Sequence, residues 1–216
     1  MDGYRKFFDS FHISKDELFK WGLENTIYPE MEKIDLAWKD LLFRIENNQK
    51  VYIRGYGRNA HGTSMYRGLY KYIFENENVT EDPTNNTAPK RIIENLTGLK
   101  RNKNIFNYQT AHIFGKTKNI FMFEAPWNIV YIPKIMDPFT GHESKGEYTV
   151  EFKEMFVNQA KNRYKTYITE YNSLLKKYDV ENKISSYTEL LKRENDMNIV
   201  QQFEKNCREE FEIIEI

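Results

Sequence analysis

His112 closes the strand-like run IFNYQTAH, and Asn128 opens a second apolar run, NIVYIP, with the loop IFGKTKNIFMFEAPW between them. If the two runs are short strands closing a loop, the end of the first comes near the start of the second, within reach of the Asn128 side chain. A neutral imidazole near pH 7 is suited to taking a proton from water. Asp137 and His142 follow in KIMDPFTGHE. Basic residues cluster on both sides: Arg54, Arg58 and Arg67, then Lys90 and Arg91, then Lys100, Arg101 and Lys103 in LKRNKN, then Lys116 and Lys118. As a group they would line the approach of a polyanion to His112. The loop RGYGRNAHGTS could hold a phosphate on its backbone amides with Arg54 and Arg58, but it lacks the spacing of a nucleotide P-loop.

The order of AHIFGKTKN and APWNIVYIPKIMDPFTGHE resembles the HNH, or ββα-metal, endonuclease finger, and its overall pattern is similar to the restriction-type members. The resemblance spans about 35 residues, 105–150 at its widest. It implies a metal-dependent, site-specific DNA endonuclease in which His112 is the general base on a water and Asn128 orients it. It also implies one Mg²⁺ or Mn²⁺ ion per site, with Asp137, His142 or Glu124 as the candidate ligand, and a homodimer that cuts both strands of duplex DNA. Phosphodiester hydrolysis explains these residue types, since it needs a deprotonated water, charge neutralisation on the phosphate and help for the leaving 3′ oxygen. Arg54, Arg58, Lys90, Arg91, Lys100, Arg101, Lys103, Lys116 and Lys118 are then the candidate DNA-binding residues. Two features depart from the family pattern. Ala111 stands where many members carry a metal ligand just before the base, and no zinc-binding cysteine pairs flank the finger.

Two other readings stand beside this one. Asp137 with Glu151 and Lys153 has the loose order of an acidic, acidic-x-lysine (PD-(D/E)xK) nuclease core, although EFK begins a helical stretch where that core requires a strand. The helices could also form a module that binds nucleic acid or protein without cleaving it.

The elements that must position these residues are mostly helical. Ser14 with Glu17 has the form of a capping box opening DELFKWGLEN. Pro29 starts a second helix with Ile34, Trp38, Leu41, Leu42 and Ile45 on one face. KVYIRGYG reads as a strand running into the loop before a helix that carries Met65, Leu69, Tyr72 and Ile73, capped by Thr63 or Ser64. Thr87 and Pro89 open KRIIENLTG, and Gly98 ends it. A long helix from Glu151 carries Phe152, Phe156, Ala160, Tyr164, Tyr167, Tyr171 and Leu174 inward. A second runs from Ser185 or Ser186 towards Arg208 with Leu190, Leu191, Ile199 and Phe203 inward. The expected fold is α+β and predominantly helical. It is a single domain over 1–216 with the finger at 105–150 inserted between a helical part, 1–104, and two long helices in 151–216.

Composition agrees with a soluble chain. Lysine plus arginine equals aspartate plus glutamate at 32 each, so distribution rather than net charge bears on the partner. No apolar run approaches the roughly 20 residues of a membrane span, and the start lacks a signal-peptide core, so a cytoplasmic protein is expected. One cysteine, Cys207, excludes an internal disulfide and a cysteine-only zinc cluster within one chain.

Overall fold

The computed structural model describes residues 2–55, 60–141 and 144–216, with the side chains of residues 60 and 61 also outside the description. The fold is α+β and mostly helical. Helices α1 (Gly3–Phe11), α2 (Lys15–Glu24) and α3 (Met31–Glu46) lead into strand β1 (Val51–Ile53); α4 (Ala60–Phe74) crosses to β2 (Val79–Glu81), and α5 (Thr87–Thr97) follows. The hairpin strands β3 (Tyr108–His112) and β4 (Ile129–Pro133) come next, then a 3₁₀ helix (Lys134–Thr140) and helices α6 (Glu147–Lys177), α7 (Val180–Leu191) and α8 (Met197–Glu210).

Local chemistry accounts for most boundaries. Ser14 accepts a hydrogen bond from the Glu17 amide at the start of α2, as the capping box requires. The Asp82 carboxylate accepts from the amides of Thr87 and Ala88 at the start of α5. Gly98 ends α5 with φ 70°, a left-handed conformation that glycine adopts without a Cβ penalty. β1 and β2 pair in parallel, Tyr52 opposite Thr80; β3 and β4 pair antiparallel, His112 opposite Ile129.

β4 is buried at every residue because core covers both of its faces. Val130 and Ile132 join the main core, while Ile129 and Tyr131 pack with Ile93 of α5 in a smaller cluster. The main core draws on all three expected parts of the chain, from Phe19, Trp38 and Leu69 through Phe121 and Trp127 to Phe152, Tyr164 and Tyr171. The aromatic stripe expected of α6 faces inward, and Trp38 meets Trp127 edge-on at 5.6 Å between ring centroids.

The structure corrects three expectations. α4 begins at Ala60, so Thr63 and Ser64 lie within the helix instead of capping it. The second C-terminal helix is two helices, α7 and α8, because Asp196 accepts from the amides of Asn198 and Ile199 and starts a new helix. That break turns Leu190 and Ile199 outward, at 44% and 43% exposed. α1, capped by Asp2, and the parallel partner strand β2 were not expected from periodicity, since both are short. Among the described residues no helix is long and apolar enough to cross a membrane.

Candidate active site

β3 is held against the buried β4, so His112 sits at a rigid strand end. Its ring stacks on Phe123 with centroids 5.3 Å apart and planes 20° from parallel. Its Nε2 lies 2.9 Å from the Phe123 carbonyl oxygen. A carbonyl only accepts, so this contact requires the proton on Nε2 and makes Nδ1 the basic nitrogen of the neutral ring.

Asn128 is fully buried and organises the loop that supplies that carbonyl. Its Oδ1 accepts from the Phe114 amide at 2.9 Å; its Nδ2 donates to the carbonyls of Gly115 at 3.2 Å and Met122 at 3.0 Å. The Asn128 carbonyl also accepts from the Ile113 amide. Asn128 therefore bears on His112 through the backbone: it fixes Met122, and the next carbonyl, that of Phe123, fixes the ring. The same loop is clamped at its other end by Asn119, which donates to Tyr171 Oη and to the Glu210 carbonyl and accepts from the Phe121 amide.

His112 lines a cleft of about 260 Å³ together with Asp137 from the 3₁₀ helix, Arg54 beyond β1, Arg101, and the amide side chains of Asn85, Asn86 and Gln109. Parallel pairing of β1 with β2 brings two distant segments here: the Gly55 amide donates to Asn85 Oδ1 at 2.6 Å. The Arg54 amide donates to the Thr117 carbonyl, joining the same wall to the His112 loop. Arg101 Nε and Thr110 Oγ1 are buried without a hydrogen-bond partner among the described residues, and both side chains line this cleft. Among the described residues the cleft carries two guanidinium groups against one carboxylate, before any charge on His112.

Of the residues singled out by sequence, His112, Asp137, Arg54 and Arg101 thus converge, and Asn128 supports them from behind. His142 and Arg58 lie outside the described residues. Glu124 is a correction: its carboxylate is buried away from the cleft lining, accepting from Arg44 Nη1 at 3.1 Å and from the Tyr52 amide at 2.7 Å. Lys116 is a second, because its ammonium donates to the Glu209 carbonyl and pairs with Glu212, leaving the side chain 12% exposed. Burial lowers its pKa, against the opposing pull of Glu212. The acidic end of the chain closes over this lysine loop, and the Lys118 amide donates to Glu210. The Lys118 ammonium lies over the Tyr66 ring. Lys90 pairs with Glu94 along α5. Arg91, Lys100 and Lys103 are exposed and do not line the cleft.

The acidic, acidic-x-lysine alternative is also corrected. Glu151 and Lys153 lie on α6, a helix, and Lys15 Nζ donates to both Glu151 carboxylate oxygens at 2.7 Å.

Asn85, Asn86, Gln109 and Thr110 are the cleft residues the sequence did not single out. The segment DPTNNTAP carries a turn signal and Gln109 a strand signal, so nothing in their local chemistry separates them from structural residues. Among the described residues no group of three or more His, Cys, Asp and Glu side chains converges as a metal cluster.

A family model described as "Uncharacterised protein PM1201" matches residues 29–216. The chain is 42% identical over 217 residues to the protein of that description from Pasteurella multocida (strain Pm70), covering 99% of this chain and 97% of the relative. No solved structure matches it. With most of its length matched by the family model and nearly all of it by this relative, the chain belongs to the PM1201 family.

Proposed function

We propose that the protein is a metal-dependent endonuclease that hydrolyses phosphodiester bonds in duplex DNA, with His112 as the general base. The observation that carries the reading is the hydrogen bond from His112 Nε2 to the Phe123 carbonyl, in a cleft that also holds a carboxylate and two guanidinium groups. That bond fixes the neutral ring in the tautomer protonated on Nε2. Arg54 and Arg101 supply the positive field that a phosphodiester needs before it can approach a carboxylate. The chain order here is strand, strand, a 3₁₀ helix that carries Asp137, and then the long helix α6.

The cleft offers a hard cation one carboxylate, Asp137, and the amide oxygens of Asn85, Asn86 and Gln109. This all-oxygen set suits Mg²⁺ or Mn²⁺, which retain several waters and accept one or two carboxylates. Such an ion, when bound, neutralises charge on the phosphate and stabilises the leaving 3′ oxygen. The chain's own part is to hold the ring of His112 in one tautomer, to bind the phosphate with Arg54 and Arg101, and to keep both on rigid backbone. Cleavage of both strands calls for a second active site, and a homodimer would supply one.

Plasmid DNA incubated with the purified protein and Mg²⁺ or Mn²⁺ tests the reading. Metal-dependent cleavage that EDTA and His112→Ala each abolish is expected, with the variant retaining the circular dichroism of the parent. Cleavage by His112→Ala at the parent rate refutes it.

A further inference from the structure

A second cleft, of about 270 Å³, adjoins the first and is lined by Arg101, Asn102, Asn107, Tyr108, Gln109 and Lys134. Arg101 and Gln109 line both, so the two form one trough along β3. β3 is the edge of its sheet, because the other side of β4 is bridged to Ile27 through Tyr131. Among the described residues no acidic side chain lines the second cleft, while Arg101 and Lys134 bring two positive charges to it. Neither makes an ion pair among the described residues, in contrast to Lys90 and Lys116 on neighbouring segments.

The turn that builds this cleft is well defined. Asn102 donates from its backbone to the Ile105 carbonyl at 2.8 Å, and Lys134 does so to the Asn107 carbonyl at 2.7 Å. Asn102 and Asn107 both adopt left-handed backbone conformations, φ 62° and 59°, which asparagine tolerates better than most residues. Between the two clefts stands Arg101, whose buried Nε has no hydrogen-bond partner among the described residues. A buried donor of that kind on a guanidinium is satisfied by an anion in the trough.

We propose that this second cleft holds a backbone phosphate of the same DNA strand, displaced from the phosphate at His112, so that the substrate is a polynucleotide and not a mononucleotide or a free phosphate ester. The proposal rests on the nuclease reading above. A strand advances about 3.4 Å per residue, so Gln109 and His112 are roughly 10 Å apart along β3. Lys134 and Arg101 would contact the displaced phosphate, and the side-chain carboxamides of Asn102 and Asn107 would complete its hydrogen bonds.

The test is equilibrium binding of the full-length His112→Ala protein to a fluorescent DNA duplex in EDTA, followed by anisotropy over a salt series, with and without Lys134→Gln. Loss of one phosphate contact lowers the slope of log K against log salt by about 0.9, which is roughly an eightfold weakening at 0.1 M relative to 1 M salt. Lys165→Gln, exposed on α6 and outside both clefts, should leave the slope unchanged. A slope equal with and without Lys134→Gln overturns the subsite, and plasmid cleavage by the parent protein that His112→Ala abolishes shows that the nuclease reading survives. Absence of duplex binding at any salt, joined to absence of cleavage by the parent, overturns both. Competition by inorganic phosphate or a mononucleotide as effective as duplex per molecule also overturns the proposal.

Discussion

Replacing Asn128 with alanine removes one carboxamide and takes a hydrogen bond from three backbone groups: the Phe114 amide, the Gly115 carbonyl and the Met122 carbonyl. The Met122 carbonyl keeps the Ala125 amide as a second partner at 3.4 Å, so its loss is that of one hydrogen bond, about 0.5–1.5 kcal/mol. Phe114 and Gly115 are half-buried, and water can partly replace the lost bonds there, at roughly 0.5–1.5 kcal/mol each. The sum is about 1.5–4.5 kcal/mol, a large share of the roughly 5–15 kcal/mol that holds a domain together. For a chain of this size it corresponds to a fall in Tm of about 10 °C, at roughly 2–4 °C per kcal/mol. Thermal unfolding by circular dichroism, with urea unfolding at constant temperature, measures it. Because Asn128 fixes the carbonyl next to the one that holds His112, the folded fraction of Asn128→Ala should also lose cleavage rate. A stability loss below about 1 kcal/mol would refute the reasoning, since it would mean that the loop closes without this side chain. Lost cleavage with unchanged stability would instead make Asn128 a substrate contact.

Two further outcomes follow from the same packing. Arg44→Met leaves the Glu124 carboxylate buried with only the Tyr52 amide beside it and should cost about 3–5 kcal/mol; adding Glu124→Gln, which keeps an acceptor for that amide, should recover a substantial part, as read by urea midpoints. Burial raises the Glu210 carboxyl above its ordinary range, against the Lys118 amide that favours the ionised form. An acid whose folded pKa is raised adds stability that is complete below its unfolded pKa and is lost as pH rises through the folded one. Glu210→Gln should therefore gain in Tm relative to the parent on going from acid to neutral pH, and a pH-independent difference would count against the burial account.

The hairpin illustrates how much was legible in residue order. Alternation in IFNYQTAH marked the end of β3 at His112 but began it three residues early, and the unbroken apolar run of NIVYIP marked β4 to within a residue, because a doubly buried strand leaves a clear pattern. The capping box at Ser14, the stop at Gly98 and the inward stripe of α6 were equally local, and local chemistry fixed them. The break between α7 and α8 was missed because Asp196 caps a helix inside a stretch whose apolar spacing continues across it.

Charge was the least legible property. Glu124 and Lys116 carry the residue types of a ligand and a phosphate contact, yet each is neutralised by a partner far away in sequence, Arg44 and Glu212 respectively. No one-dimensional pattern records such pairings, which come from packing the C-terminal segment over the His112 loop and α3 against β1. The same holds for Asn85, Asn86 and Gln109, brought to the cleft by the parallel pairing of two three-residue strands. The amino-acid sequence by itself determined the helical character, the hairpin and the identity of His112 as a strand-end imidazole, since those depend on neighbours in the chain. Tertiary structure alone decided which nitrogen of that imidazole carries the proton, and which carboxylate and guanidinium groups share its cleft, since each depends on contacts between segments remote in the chain.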